Sequence, residues 1–196
     1  MENIKSELGR KAVHIIGGII IITLFYVGAL PRIIIYLMLL ASLFASMYAK
    51  SRSSWLDWLL EKFERPEVRK NFPFKGLIFF LSGIVLSMFV FEKSIALAAI
   101  CVLVFGDSTS HISALFFKKT NTLKKSVEAS AVGAAVSFLA AMLFTEPLLA
   151  FVGAVAGMAV EAIEIRISET TVDDNLLVPL AAGSVMTLTK FFITFI

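Results

Sequence analysis

A single cysteine, Cys101, among 196 residues rules out an internal disulfide framework and a four-cysteine metal site. Its place inside an apolar run reads as packing. Charge is also scarce: 17% of residues are Asp, Glu, Lys or Arg, 58% are hydrophobic, and mean hydropathy is +0.88. Soluble domains carry about 25% charge and about 45–50% apolar residues, so the balance identifies an integral membrane protein. There is no Walker loop, GxGxxG, HExxH or Ser-His-Asp order, so any nucleotide chemistry needs an unfamiliar site. A cleavable signal pattern is missing too. The first apolar run, Ala12–Leu30, is too long for a signal h-region and continues into a second span, which reads as a retained helix. Low-complexity tails, convincing repeats and a soluble domain are all lacking, leaving one membrane domain over residues 1–196.

What is present is a series of apolar runs. A helix needs about 20 apolar residues to cross the hydrocarbon core. Seven stretches come close: Ala12–Leu30, Ile33–Tyr48, Phe74–Phe91, Ser94–Phe117, Val127–Phe144, Leu148–Ile165 and Leu176–Phe195, the second being the short one. The runs are continuous and do not alternate, which favours helices over a closed β-barrel. The expected fold is all-α, a polytopic bundle of about seven transmembrane helices.

Basic residues set its orientation. All but three of the 18 lysines and arginines, the exceptions being Arg32, Lys93 and Lys190, fall on the N-terminal side of the predicted spans. The positive-inside rule therefore puts the N-terminus in the cytoplasm and the C-terminus outside. The net charge of +3 belongs to loops facing an anionic leaflet, not to a nucleic-acid surface. The one long connection, Lys50–Pro73, contains two tryptophans within Ser54–Phe63 and apolar residues at near-helical spacing. It predicts an amphipathic helix in the cytoplasmic interface between spans two and three, as a surface anchor or as a lid over a lipid entrance.

Four polar clusters fall on the same predicted side. Glu7, Arg10, Lys11 and His14 recur at spacings of three and four along one face of the first helix. Lys75, Gly76 and Gly83 fall in the third span, the glycines reading as close-packing positions and Lys75 as a snorkelling residue. The third cluster runs from Gly106–Asp107–Ser108 through Lys118, Lys119, Lys124 and Lys125 to Ser126 and Glu128. A carboxylate within a span costs about 2.5–3.5 kcal/mol, so Asp107 calls for a use. Asp107 and His111 are one turn apart and share a face. Ser126 is the expected N-cap of the fifth helix, whose free N–H groups suit phosphate. The fourth cluster is Glu161, Glu164, Asp173, Asp174 and Asn175, ahead of Pro179 and Gly183, the Asp-Asp-Asn run capping the last helix. Hard cations take such carboxylate and amide oxygens together with substrate phosphates. Each cluster also has a plain reading, as an orientation signal, a helix cap or a packing site.

The ordered set resembles the polytopic lipid kinases that use CTP: dolichol kinase, phytol kinase and the CTP-dependent diacylglycerol kinases. Their Glu-x-x-Arg-Lys-x-x-His start is matched by Glu7, Arg10, Lys11 and His14. Their Gly-Asp followed by Lys-Ser-x-Glu is matched by Gly106, Asp107, Lys125, Ser126 and Glu128. Their Asp-Asn-x-x-x-Pro element is matched by Asp174, Asn175 and Pro179. The chain differs in having Ala129 after the glutamate, Ser110 and His111 where small apolar residues are common, and no glycines in Ala114–Lys119.

That resemblance implies transfer of the γ-phosphoryl group of CTP to the hydroxyl of a membrane lipid alcohol, with dolichol or another polyprenol as the first choice of acceptor. It implies Mg²⁺ or another divalent cation on Asp107, Glu128 and Asp174, with Asn175 and Glu161 contributing. Lys118, Lys119, Lys124, Lys125, Ser126, Arg10 and Lys11 would hold the triphosphate. His14, ahead of Asp107, would be the base, with Glu128 at the reacting centre. The implied partners are the lipid alcohol, the nucleoside triphosphate and the bilayer, and oligomeric state stays open. A phytol or diacylglycerol kinase, a CDP-lipid synthase and a small transporter are the competing readings. A transporter would hold acidic residues near the bilayer midplane, whereas these cluster at one edge. The site would face the cytoplasm, at the cell membrane of a prokaryote or the endoplasmic reticulum of a eukaryote.

Overall fold

The computed structural model describes residues 2–49, 60, 64, 68, 71–117, 126–163, 166–167 and 170–195. Seven helices make up the described part: α1 Glu2–Tyr26, α2 Arg32–Ala49, α3 Lys75–Val90, α4 Lys93–Ser113, α5 Val127–Ala141, α6 Pro147–Ala162 and α7 Asp174–Phe195. A two-residue antiparallel ladder, β1 Arg166–Ile167 with β2 Thr170–Thr171, joins α6 to α7. The expected Ser54–Phe63 amphipathic helix lies outside the described residues apart from Leu60, which is buried.

Local chemistry sets the boundaries. Gly28 takes a left-handed φ of 77° after α1, and Pro31 precedes α2. Pro147 opens α6 at its first turn, where the missing N–H costs nothing. Phe74 stands before α3 with φ of 61°, and its N–H donates to Glu64 Oε2 at 2.8 Å.

Four helices are long and apolar enough to cross a membrane: Glu7–Tyr26, Arg32–Ala49, Lys93–Ser113 and Asp174–Phe195. The second run, expected to be short, forms an 18-residue helix. The short helices are instead α3, α5 and α6, with 16, 15 and 16 residues. They rise about 22–24 Å against a hydrocarbon core of about 30 Å. The apolar run of the fifth span continues past Ala141 into a turn at Met142–Phe144, so hydropathy overstates the helix.

α4 is the central helix: 78% of its span is buried, against 17% for α2. Its middle, Val102–Asp107, winds as a π-helix between α-helical halves Lys93–Cys101 and Ser108–Ser113. Three helices close on this turn through glycines. A Cβ on Gly18 of α1 would stand 2.4 Å from Val104, one on Gly133 of α5 2.8 Å from the Gly106 carbonyl, and one on Gly157 of α6 2.6 Å from Val102. Cys101 lies buried here as a free thiol, as its packing reading requires. Large apolar side chains such as Ile20, Phe44, Leu139 and Phe192 are exposed on the outside, the arrangement expected of helices solvated by lipid.

Candidate functional site

The first turns of α1 carry the polar face expected of them. Arg10 binds Glu7 across one turn at 2.5 Å. Lys11 Nζ reaches across to Asp107 Oδ2 on α4 at 2.5 Å, their side chains 15% and 6% exposed. His111 Nε2, one turn beyond Asp107, lies 3.5 Å from Glu7 Oε2. Two residues a turn apart on α1 thus meet two residues a turn apart on α4. The shared face expected of Asp107 and His111 is the face turned to α1.

The π-helix is what positions this face. A π turn carries an added residue, which rotates the following residues by about 100° relative to an unbroken α-helix. Asp107 closes that turn, and Ser110 follows on α4 with its Oγ 2.9 Å from Glu161 Oε1 of α6 and 3.1 Å from the Asp107 carbonyl. The hydroxyl has one proton and donates to one of these at a time. Glu161 is fully buried. Three further polar atoms, Ser108 Oγ, His14 Nε2 and Ser130 Oγ, are shielded from solvent with no hydrogen-bond partner. The His14 ring tilts against Phe80 of α3, centroids 4.3 Å apart. An unpartnered buried polar group costs about 1–3 kcal/mol, so atoms of this kind call for an explanation.

The start of α7 joins the same end of the bundle through α3. A Cβ at Gly83 would stand 2.1 Å from the carbonyl oxygen of Asn175, so the two helices are in backbone contact there. Gly76, expected to pack in the same way, has open space around it. Asp173 caps α7: its Oδ1 accepts from the Asn175 N–H at 3.1 Å and from Asn175 Nδ2 at 2.9 Å. Its Oδ2 lies 3.9 Å from Lys75 Nζ. Burial pushes the Asp173 carboxyl above its ordinary range, against the pull of Asn175 and Lys75, and the charge of Asp174 adds to the rise. Ser126 caps α5 as expected, its Oγ accepting from the Ala129 N–H at 3.2 Å. Glu128 is exposed in that first turn.

Residues from all four clusters therefore stand where α1, α3, α5 and α7 begin and α4 and α6 end. Contacts tie α1 to α4, α4 to α6, and α3 to α1 and α7. Among the described residues, no three His, Cys, Asp or Glu side chains are grouped to hold a metal ion. Asp107, Glu128, Asp174, Asn175 and Glu161 accordingly do not form a ready-made cage. Lys118, Lys119, Lys124, Lys125 and Glu164 lie outside the described residues. The opposite end is different in kind: Lys190 binds Glu92, Ser94 Oγ donates to Glu92 at 2.9 Å, and Lys93 Nζ donates to the Tyr26 carbonyl at 3.1 Å.

Sequence reasoning missed the role of Ser110, which stood out only as a departure from a pattern, and it put His111 on the face of Asp107 without finding its partner Glu7. The π turn and Gly133 were missed as well. No protein-family model, curated protein or solved structure matches the chain.

Proposed function

We propose that the protein is a multi-pass membrane kinase that moves the γ-phosphoryl group of CTP to the hydroxyl of a lipid alcohol, with a polyprenol such as dolichol as the favoured acceptor. In this reading all seven helices cross or enter the bilayer, with the N-terminus and the polar end on the cytoplasmic side. The observation that carries it is the Lys11–Asp107 pair, a shielded cation and anion at the end of membrane helices beside the unpartnered His14 nitrogen.

Phosphoryl transfer asks chiefly for positioning and charge neutralisation. Arg10 and Lys11, the four lysines Lys118, Lys119, Lys124 and Lys125, and the α5 N-terminus capped by Ser126 would hold the triphosphate. A divalent cation on Asp107 would have to share this carboxylate with Lys11, and it would depend on substrate phosphates for its other ligands, as Mg²⁺ commonly does. Glu128, Asp174, Asn175 and Glu161 would complete its surroundings through waters. When bound, it would neutralise charge developing on the β- and γ-phosphate oxygens.

The lipid alcohol would reach the site sideways between helices. Its oxygen forms the new bond to the γ-phosphorus, the bond from that phosphorus to the β–γ bridging oxygen breaks, and CDP leaves. The hydroxyl proton passes to His14 Nε2. A CDP-lipid synthase would use the same groups on the α-phosphate of CTP. Purified protein given CTP labelled at the γ- or the α-phosphate, with a panel of alcohols and lipid phosphates, separates them. Label from γ in lipid is the expected result. Label from α with pyrophosphate release points to the synthase, and no lipid product from either substrate overturns the enzyme reading.

A further inference from the structure

At the end of the bundle away from Asp107, the starts of α4 and α6 and the last turns of α7 frame a cavity of about 280 Å³. Glu92, Ser94, Glu146, Lys190 and Thr194 are in its polar lining. Glu92 is engaged, accepting from Lys190 and from Ser94 Oγ. Glu146 is not. It holds the N-cap position of α6, yet its side chain makes no capping hydrogen bond, and it forms no ion pair among the described residues. A capping bond therefore does not account for this carboxylate.

The hydroxyls add to the same imbalance. Ser94 gives its proton to Glu92 at 2.9 Å, and Thr194 gives its own to the Lys190 carbonyl at 2.9 Å. A hydroxyl has one proton, so both oxygens have only lone pairs left to offer the cavity. Two carboxylates also face one ammonium, leaving the lining with negative charge in excess. We propose that the cavity binds the head group of a zwitterionic lipid carrying a primary ammonium, with the ammonium on Glu146 and the phosphate beside Lys190.

An ammonium is a donor without lone pairs, the complement of this lining. The volume far exceeds a bare metal ion, and among the described residues no three carboxylate, His or Cys side chains group to hold one. An anionic head group would add charge of the sign already in excess. Lys190 spends one N–H on Glu92 and keeps others for a phosphate oxygen. A lipid is favoured over a soluble amine because Leu149 and Ile193 give the cavity an apolar wall. That wall continues into exposed Phe191 and Phe192 on α7, along which acyl chains would lie. The site is separate from the phosphotransfer residues and does not depend on them.

Native mass spectrometry of detergent-purified full-length protein tests this, with phosphatidylethanolamine, phosphatidylcholine and phosphatidylglycerol of identical acyl chains as the probes. Phosphatidylethanolamine should bind about fivefold more tightly than phosphatidylcholine, whose quaternary nitrogen has no N–H to donate, as suits a charge-assisted hydrogen bond at an exposed rim. Phosphatidylglycerol should bind most weakly, and Glu146→Ala should remove the preference for phosphatidylethanolamine. Equal binding of the three lipids, a preference for phosphatidylglycerol, or a preference that survives Glu146→Ala overturns the proposal. Should Glu146→Ala not fold, stepwise N-methylation of the lipid tests wild type alone. Binding should weaken as each N–H is lost, and a flat series overturns the proposal. Glycerophosphoethanolamine, the same head group without chains, should not displace the lipid at equal concentration. Displacement would mark a site for a soluble amine and overturn the lipid assignment.

Discussion

Ser110 on α4 places its hydroxyl 2.9 Å from the Glu161 carboxylate on α6, at a point where neither residue is exposed. The contact follows the π turn directly and fixes how α4 rotates against α6. Asp107, three residues earlier, is held by Lys11 of α1. One turn of α4 is therefore anchored on both sides, and the anchoring residues are the candidate site itself.

Removing that hydroxyl should loosen the whole arrangement. Hydrogen bonds between membrane helices average about 0.6 kcal/mol, with the largest near 1.7. Ser110→Ala and Glu161→Gln, alone and combined, should show a coupling energy of about 0.6–2 kcal/mol in a double-mutant cycle. Reversible SDS unfolding in mixed micelles measures it. Additive effects would show that the pair contributes nothing to holding α4 on α6.

Asp107→Asn should lower kcat for lipid phosphorylation by about 10²–10³-fold, the usual loss when one electrostatic element of a transition state is removed. On the proposed phosphotransfer, KM for the lipid alcohol should change little, since apolar surfaces would hold the acceptor. His14→Asn should also lower kcat, by about 10²–10⁴-fold, and should alter the pH–rate profile, as expected for a lost base. A His14→Asn enzyme with wild-type kcat and pH profile would remove His14 from the reaction.

Much of the fold was legible because the apolar runs are continuous and the punctuation is clear. Gly28 with Pro31, Pro147, Ser126 and Asp173 all mark boundaries by known backbone chemistry. Helix lengths were less legible, since Met142–Phe144 is apolar yet forms a turn. The π turn left no trace in the pattern. The run through Val102–Phe105 is apolar on every side, and an added residue in such a helix disturbs no periodicity. The gathering of clusters at one end could be read from lysine and arginine counts. The pairing of Lys11 with Asp107, and of Glu7 with His111, could not, because it depends on the rotation that the π turn imposes.

Gly76 and Gly83 look alike in sequence and should behave differently. Gly83→Ala puts a methyl group against the Asn175 carbonyl, backbone that cannot give way easily, and should destabilise by about 1–3 kcal/mol. It should also disturb the start of α7. Gly76→Ala meets open space in the first turn of α3 and should be neutral, or stabilising by up to about 1 kcal/mol through helix propensity. Thermal unfolding in detergent of both variants checks the contrast. Equal destabilisation would contradict the α3–α7 approach.

Acid should weaken the far end of the bundle through Glu92. Hydrogen bonds from Lys190 and from Ser94, with the Lys190 charge, hold this carboxyl below its ordinary value of 4.5, against a small opposing effect of burial. In the folded protein it therefore takes up its proton at lower pH than in the unfolded chain. Its stabilising contribution is complete above 4.5 and is lost as pH falls through the lower folded value. The side chains are about half exposed, so solvent screening keeps the effect small. Unfolding temperatures measured from pH 6 downward should fall less steeply below 4.5 in Glu92→Gln than in wild type. Identical acid profiles would show that Glu92 titrates alike in the folded and unfolded states, and that Lys190 does not hold it.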